Sequence, residues 1–340
     1  MSQLTRREIL AGGAAITALK AAGGTDAPDP RRTRSYNENM EYRRLGRTNL
    51  MVSVVSMGGH WKKIPYAPGS DDFKKNRRQV IYAALDHGIN YIDACAAGEV
   101  SVYAEAVRER RKEIYFGFDW SGARKPEIAG SLEKLKQGLD DGLKKSGLDY
   151  VDLWRLTLRE QTTRNSQQEI ETVVAALDWA KRSGRARATG VSTHHRPWIA
   201  EAVAKYPQLE VVVTPYSAGT REKPVGSMFE ALRKHDVGML GIKPFASGTL
   251  FASLGVPDSP SKDEDDERAR LALRHVFGCD VLSAAIPGLM TIDHVKNAAA
   301  AVKEARQLDK AEGQRHRDLT ATMWRRLPPD YHWLRDWQWV

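Results

Sequence analysis

The sequence predicts a single (β/α)₈ barrel, a closed ring of parallel strands surrounded by helices. Short β-branched runs alternate with longer helical patterns along the chain, which is typical of a parallel α/β architecture. Eight such units fit within about 250 residues, the usual length of a closed barrel. No G-x-G-x-x-G motif opens a helix after the first strand, so an open nucleotide-binding sheet is disfavoured.

The predicted strands are rich in β-branched and aromatic residues and are bounded by polar or glycine-containing turns. They span residues 52–57, 90–93, 114–118, 151–156, 188–192, 211–216, 237–243 and 281–287. Helices are predicted at residues 76–87, 127–146, 168–183, 228–234 and 292–305. Gly88, Gly147 and Gly184 stand at the ends of the first three helices, where glycine commonly terminates a helix.

Two segments are predicted to lie outside the barrel. Residues 257–267 are polar and acidic, which predicts an exposed loop before a helix at about 268–277. Residues 311–340 form a C-terminal extension with four tryptophans and the pair Pro328-Pro329. Disordered segments contain few aromatic residues, so we expect this segment to pack on the barrel. The alternative is an exposed surface for a partner.

The first 24 residues are interpreted as an export signal. Residues 5–10 (TRREIL) resemble a twin-arginine motif, and a weakly apolar stretch with small residues follows up to Gly24. Residues 25–39 are rich in Asp, Pro and Arg and are expected to link the signal to a barrel of residues 40–310. We therefore expect an exported or periplasmic protein; a frayed N-terminal helix on a cytoplasmic protein is the alternative.

The composition limits the classes of partner. The chain has 340 residues and a formal charge of +9, but its basic residues are scattered rather than interleaved with aromatic ones. A solvated basic surface is therefore favoured over a nucleic-acid interface. No apolar run reaches the roughly 18 residues that a membrane span needs. Cys95 and Cys279 lack metal-ligand spacing, so neither a metal site nor a disulfide framework is expected. Cys95 is interpreted as a small core residue rather than a nucleophile.

Six short motifs follow one another along the chain. They are YRRLGRTNL at 42–50, GINYID at 88–93, GLDYVDL at 147–153, GVS at 190–192, PFASG at 244–248 and IPG at 286–288. Together they resemble the aldo-keto reductases. The resemblance implies a hairpin across the floor of the barrel, before the first strand. It also implies an oxidoreductase that uses NADP(H) on a carbonyl or hydroxyl of a small, carbohydrate-like substrate.

The same resemblance implies four catalytic residues. In the family a tyrosine protonates the carbonyl oxygen while NADPH delivers hydride, a lysine and an aspartate tune the tyrosine, and a histidine orients the substrate. The aspartate corresponds to Asp93, but Gly98, Asp119 and Thr157 stand at the tyrosine, lysine and histidine positions. We therefore expect the ordinary chemistry to be impaired. Tyr103 could replace the tyrosine only if its hydroxyl turned back towards the site.

The residues that the resemblance implies for cofactor binding are better preserved at the phosphate end than at the nicotinamide end. Ser192 matches a contact to the carboxamide, whereas Thr193 replaces an asparagine. Val213 replaces a glutamine, and Ile242 replaces the aromatic residue that stacks on the ring. The residues that match the phosphate end are Lys243, Gly248, Leu250, Gly288 and His294. We therefore expect NADP(H) to be held less firmly at its reactive end.

Asp93 and Asp119 are predicted to face each other inside the barrel. Two carboxylates at close range in a partly dry site cannot both ionise easily, so one pKa should rise unless a cation intervenes. Strand alternation places Arg155 on the inward face with Thr157, and Gly117 leaves room beside it. We hypothesise that Arg155 neutralises both carboxylates. In the alternative, its side chain extends to the rim.

The carboxyl ends of the strands form the mouth where barrel enzymes bind substrate. The residues predicted to lie there are His60, Trp61, Glu99, Trp120, His194 and His195. Tryptophans beside carboxylates suit stacking on a sugar with hydrogen bonds to its hydroxyls. In the alternative, Trp61 and Trp120 simply wall the loops.

Three functions remain open on the sequence alone. The first is an NADP-dependent oxidoreductase with an altered proton donor, favoured by the phosphate end of the cofactor site. The second is non-redox acid–base chemistry on a sugar, with Asp93, Asp119 or Glu99 as the carboxylate pair. The third is a catalytically silent barrel that binds a ligand or partner. Barrels host many chemistries, so the fold alone does not decide.

Overall fold

The structure, a computed structural model, describes six stretches of the chain. These are residues 28–58, 64–95, 97–159, 164–221, 226–257 and 259–336. The predicted export signal (1–24) and the first residues of the predicted linker lie outside the described residues, as do His60 and Trp61.

A β-hairpin covers the floor of the barrel. β1 (Tyr42–Arg44) pairs antiparallel with β2 (Met51–Ser53). The turn between them places Leu45 against Gly238, so close that a Cβ on this glycine would lie 2.7 Å from Leu45 Cδ1. The hairpin thereby closes one end of the barrel with apolar side chains, which leaves the opposite end for a polar site.

Seven parallel strands form the wall of the barrel, each paired with the next in chain order. They are β3 (Tyr91–Ala94), β4 (Tyr115–Trp120), β5 (Val151–Thr157), β6 (Ala186–Ser192), β7 (Val211–Pro215), β8 (Gly238–Ile242) and β9 (Leu282–Ile286). A nearly closed parallel ring with helices outside is a TIM-type α/β barrel, and the predicted fold class is confirmed.

The predicted first strand, 52–57, is not continuous. Residues up to Ser53 pair within the hairpin, and beyond it Val55 forms a single parallel bridge to Ala285 while Met57 bridges to Ile92. The change of partner occurs at Ser53, whose Oγ donates to the Val55 carbonyl at 2.6 Å and whose N–H donates to Asn90 Oδ1 at 2.8 Å. Side-chain hydrogen bonds thus hold the chain where it changes partner. The segment beyond Ser53 joins β9 to β3 through backbone hydrogen bonds and forms the seam of the ring.

Helices surround the ring and cover its mouth. They are α1 (Asp71–Asp86), α2 (Ala97–Val107), α3 (Pro126–Ala129), α4 (Leu132–Ser146), α5 (Gln167–Arg182), α6 (Arg196–Lys205), α7 (Met228–Lys234), α8 (Lys262–Phe277), α9 (Ile292–Lys303), α10 (Lys310–Arg325) and α11 (His332–Asp336). None of the described helices is both long and apolar enough to cross a membrane.

Three of the differences between the predicted and the observed helices are explained by residues at the start of a helix. The first helix starts at Asp71 because the Ser70 hydroxyl accepts from the Phe73 N–H. The predicted helix 127–146 is divided into α3 and α4, because Ser131 caps a new start. The predicted loop 257–267 is helical from Lys262, since the acidic residues 263–265 favour the positive end of the helix dipole.

Of the C-terminal helices, α10 packs along α8, and α11 packs at the carboxyl ends of β6 and β8. α10 is tied to α8 by an ion pair between Arg274 and Glu312, whose closest atoms are 2.6 Å apart. A small apolar cluster joins both helices to the barrel, and it contains Ala218, Ala246, Leu250, Ala272, Met323, Leu327 and Leu334. The described part of the C-terminal extension therefore packs against the barrel and its outer helices.

Candidate active site

A buried arginine between two aspartates forms the polar centre of the barrel. Register places Asp119 of β4 opposite Arg155 of β5, and Asp93 of β3 lies one strand further away. Arg155 donates to Asp93 through Nε (3.2 Å to Oδ1) and Nη2 (2.6 Å to Oδ2). Its Nη1 lies 3.1 Å from Asp119 Oδ1. Arg155 is 1% exposed and does not reach the rim, so its guanidinium is shared by the two carboxylates.

One guanidinium and two carboxylates leave the cluster with one surplus negative charge. Burial raises the pKa of Asp119 above its ordinary value of 3.8, and the opposing effects of Arg155 and Thr157 do not cancel this. Burial lowers the pKa of Arg155, but the two aspartates more than offset it, so the arginine stays charged. Asp119 therefore keeps its proton up to a higher pH than an ordinary aspartate does.

Thr157 fixes the Asp119 carboxyl group. It lies at the end of β5, two residues beyond Arg155 and on the same face, as strand alternation requires. Its Oγ1 is 2.6 Å and 2.7 Å from the two carboxyl oxygens of Asp119. A single hydroxyl proton shared between two oxygens holds the group in one orientation. Asp119 is 6% exposed and Asp93 is fully buried, so Asp119 is the member of the pair nearer to the mouth.

Cys95 and Glu99 flank the cluster at the end of β3. The Cys95 thiol donates to Asp93 Oδ2 at 3.3 Å, and burial raises the pKa of the Cys95 thiol well above its usual value. It is therefore present as a thiol, which is the weak nucleophile. Glu99 Oε2 accepts from the Cys95 N–H at 2.8 Å, so this carboxylate is engaged with the backbone at the start of α2.

Tyr91 occupies the space beside Gly117. A Cβ on Gly117 would lie 2.0 Å from the Tyr91 hydroxyl oxygen, so the missing side chain makes room for this tyrosine rather than for Arg155. Tyr91 is fully buried, and its hydroxyl lies 3.5 Å from Asp93 Oδ1. Tyr91 is not among the site residues predicted from the sequence, although its spacing of two from Asp93 places both on the inward face.

We expect Gly117→Ala to lower the free energy of unfolding by about 1–3 kcal/mol, because the enclosed Tyr91 ring must shift to accept the new methyl group. Urea unfolding measures the change. Gly98→Ala is the matched control, since a Cβ there would have no atom within 4 Å, and its stability should be unchanged or slightly higher. Equal stability of the two variants would contradict the assigned packing.

The mouth beyond β6 and β8 holds an imidazole, an ammonium group and an indole. His194 stacks on Trp333 of α11, with ring centroids 4.1 Å apart and 15° between the planes. Lys243 Nζ lies 5.9 Å from the centroid of the Trp333 ring. Burial, with a further contribution from Lys243 and Arg124, lowers the pKa of His194 to about 2. His194 is thus neutral near pH 7, and a neutral imidazole is too weak an acid to serve as the proton donor.

The other residues matched to cofactor contacts are covered to different degrees. Ser192, Thr193 and Leu250 are 5%, 1% and 3% exposed. Gly248 adopts a φ of +90°, which favours glycine. Gly288 borders open space, because a Cβ built on it would have no atom within 4 Å.

A cavity of about 70 Å³ lies beside Gly288. His294 also lines it, and His294 Nδ1 accepts from the Met290 N–H at 3.3 Å. Lys243 follows the neighbouring strand, β8. Its φ of +58° is a backbone conformation that non-glycine residues seldom adopt.

Several predicted site residues are not brought to the centre. The Trp120 ring packs against Gly122 and Gly138 of α4, because position 120 alternates outward from Asp119. His195 lies at the start of α6, where its N–H donates to Thr193 Oγ1 at 3.2 Å; burial lowers the pKa of its imidazole.

Tyr103 does not supply a hydroxyl to the cluster either. It is fully buried, and its hydroxyl bonds to Arg77. Within the described stretches, no three His, Cys, Asp or Glu side chains are grouped so as to hold a metal ion. Trp333 was missed as a site residue, because nothing in the local sequence pattern shows where a terminal segment packs.

A family model described as "Aldo/keto reductase family" matches residues 58–314. Among curated proteins, a probable voltage-gated potassium channel subunit beta of Arabidopsis thaliana is 26% identical over 65% of this chain and 69% of its own length. L-galactose dehydrogenase of Arabidopsis thaliana is 23% identical over 79% of this chain and 90% of its own length.

Solved structures share the fold. An aldo-keto reductase from Bacillus halodurans, in its holo form, superposes with a TM-score of 0.64 at 22% identity, covering 82% of this chain and 96% of its own. An aldo/keto reductase from Klebsiella pneumoniae in complex with NADP and acetate gives a TM-score of 0.60 at 17% identity, covering 82% and 95%. At these identities the likeness concerns the backbone architecture.

Proposed function

The chain belongs to the aldo-keto reductase family, and we propose that it is an NADP(H)-dependent oxidoreductase in which Asp119 transfers the proton. The observation that carries the proposal is the buried Asp119 carboxyl group, whose pKa is raised while it bonds to Thr157 and Arg155. A carboxyl group with a raised pKa can keep a proton closer to neutral pH and donate it to a carbonyl oxygen.

The neighbouring groups are less suited to this role. His194 has a pKa of about 2 and is neutral. Gly98, at the position that the family fills with its tyrosine, is exposed on α2 and carries no acid. The Tyr103 hydroxyl is engaged with Arg77. We therefore infer that the ordinary catalytic set is degenerate here and that Asp119, held in place by Thr157 and Arg155, replaces its acid.

The residues present fit a dinucleotide at the adenosine end. Gly288 is exposed and borders a small cavity, and Lys243 would place a positive charge near the phosphates of a ligand bound there. Ser192 and Thr193 would face the nicotinamide end from β6. NADPH, when bound, supplies hydride; Asp119 would protonate the carbonyl oxygen, and Thr157 would hold the carboxyl group during the transfer.

We propose a small polyhydroxylated carbonyl compound, or the corresponding alcohol, as substrate. One support is the likeness to L-galactose dehydrogenase, at 23% identity. A second is the polar cluster below the mouth, which can bond to hydroxyl groups. The test is NADPH oxidation with a panel of aldoses and short aldehydes, and NADP⁺ reduction with the matching alcohols. Turnover in one direction supports the proposal, whereas the absence of both turnover and NADPH binding at millimolar concentration would exclude it.

Non-redox acid–base chemistry on sugars is the less favoured candidate. Paired carboxylates that hydrolyse sugars must reach opposite faces of the substrate. Here Asp93 and Asp119 are tied to one guanidinium, and Glu99 bonds to the backbone of Cys95. This arrangement supports a single proton-transfer group rather than an acid and base pair.

Export of the folded protein completes the proposal and is supported by the twin-arginine-like motif. Replacing Arg6→Lys and Arg7→Lys together should retain the protein in the cytoplasm, because that pair is the determinant of such signals. Cell fractionation of the natural host, with the unaltered chain in parallel, measures the distribution. A periplasmic fraction that is unchanged in the double variant would count against export by this route.

A further inference from the structure

The helix α11 lies over the strand ends that carry the residues matched to cofactor contacts. Trp333 stacks on His194 after β6 and lies next to Lys243 after β8. The adjacent Leu334 is 3% exposed, in the apolar cluster with Ala246 and Leu250. One short helix therefore spans the mouth from β6 to β8.

With α11 packed on the mouth, three of the residues matched to cofactor contacts are almost fully buried. Ser192, Thr193 and Leu250 are at most 5% exposed. The cavity beside Gly288, at about 70 Å³, is far below the roughly 300–1,000 Å³ of pockets that enclose ligands of moderate size. A dinucleotide therefore needs a wider opening than the described conformation provides.

The two C-terminal helices are attached differently. α10 is bound to α8 by the ion pair of Arg274 with Glu312, and Met323 near its end is fully buried. α11 has five residues and follows Pro328-Pro329. A helix this short is not stable without its packing partners. α11 can thus detach at the two prolines while α10 remains on the barrel.

We propose that α11 is an internal competitor of the cofactor, with the Trp333 indole occupying the place of a flat ring of the dinucleotide. The slot beside His194 accepts a planar aromatic group, and Lys243 provides a positive charge suited to a phosphate. The proposal rests on the proposed use of NADP(H). A site covered for most of the time binds with an affinity reduced by the fraction of open molecules, so α11 sets the concentration at which the cofactor binds.

Calorimetric titration with NADPH of the full chain and of Trp333→Ala tests the competition. Removing the indole should tighten binding about tenfold, the size expected when a stacking contact favouring the closed form is lost. Leu334→Asp, which should also release α11, is expected to act in the same direction. Trp179→Ala is the matched control, because Trp179 lies on α5 with Lys136 and Arg185 around its ring, and it should bind like the unaltered chain.

Hydrogen exchange provides a readout that does not depend on turnover. Saturating NADPH should increase amide exchange in residues 328–336 of the unaltered chain if α11 leaves. Increased protection of this segment, or weaker or unchanged binding in Trp333→Ala, would overturn the proposal even if NADPH binds and the oxidoreductase function stands. Failure of every variant to bind NADPH would overturn both this inference and the proposed function.

Discussion

Replacing Asp119 with asparagine is expected to lower kcat/KM for carbonyl reduction by about 10²–10⁴-fold, the usual contribution of a positioned proton donor. The amide keeps an oxygen for Thr157 and Arg155 but has no acidic proton, so the fold should persist. NADPH oxidation measures the rate, and circular dichroism checks the fold. Asp178→Asn is the matched control, since Asp178 forms an exposed ion pair with Arg182 on α5.

The pH profile distinguishes proton transfer from a merely structural effect. Because the pKa of Asp119 is raised, the reduction rate of the unaltered protein should be highest below that pKa and fall as the pH rises through it. Oxidation of the alcohol should show the opposite slope, since the ionised carboxylate then accepts the proton. Asp119→Asn should lose this titration in both directions. A variant that retains the full rate and the same pH limb would exclude Asp119 as the donor.

Replacing Arg155 with methionine is expected to lower the free energy of unfolding by about 3–5 kcal/mol, because it leaves two buried carboxylates without their cation. Asp93 is fully buried and Asp119 nearly so. Urea unfolding at pH 7 measures the loss. Arg182→Met is the control, since Arg182 pairs with Asp178 at the surface and should change stability by less than about 1 kcal/mol.

The destabilisation should depend on pH in a defined direction. Without Arg155, burial and mutual repulsion disfavour the ionised form of the two carboxyl groups in the folded state but not in the unfolded state. The deficit should therefore be small near pH 4, where protonation costs little, and grow as the pH rises. Adding Asp93→Asn and Asp119→Asn to Arg155→Met should restore part of the stability. A pH-independent deficit would show that lost packing, not charge, is the cause.

The alternation of strands and helices was sufficient to predict the barrel, because burial on both faces imposes continuous apolar runs on parallel strands. It did not predict the break at Ser53, since that break depends on Asn90, a side chain distant in sequence. The helix starts at Asp71 and Lys262 were missed because a capping hydroxyl and acidic first-turn residues extended each helix beyond its apolar pattern.

The candidate site, too, could be predicted from the sequence only in part. Alternation along two adjacent strands places Asp119 beside Arg155, whereas the catalytic roles of these residues remain predictions. The same alternation turns Trp120 outward, although its neighbour in sequence faces the cluster. The contact of Trp333 with His194 depends on where the chain's last helix packs, which local patterns do not encode.

The seam of the barrel also limits the order in which the strands can fold into a ring. Backbone hydrogen bonds join Met57 to the β3 residues Tyr91 and Asp93 on one side, and Val54 and Ser56 to Ala285 of β9 on the other. The two ends of the barrel sequence must meet before the ring closes, and contacts so distant along the chain form late because they carry a large loop-closure entropy. A chain still emerging from the ribosome can pair Met57 with β3, but it lacks its last strand until β9 is synthesised. Ring closure, and with it the finished wall around Asp93, therefore waits until β9 has been synthesised.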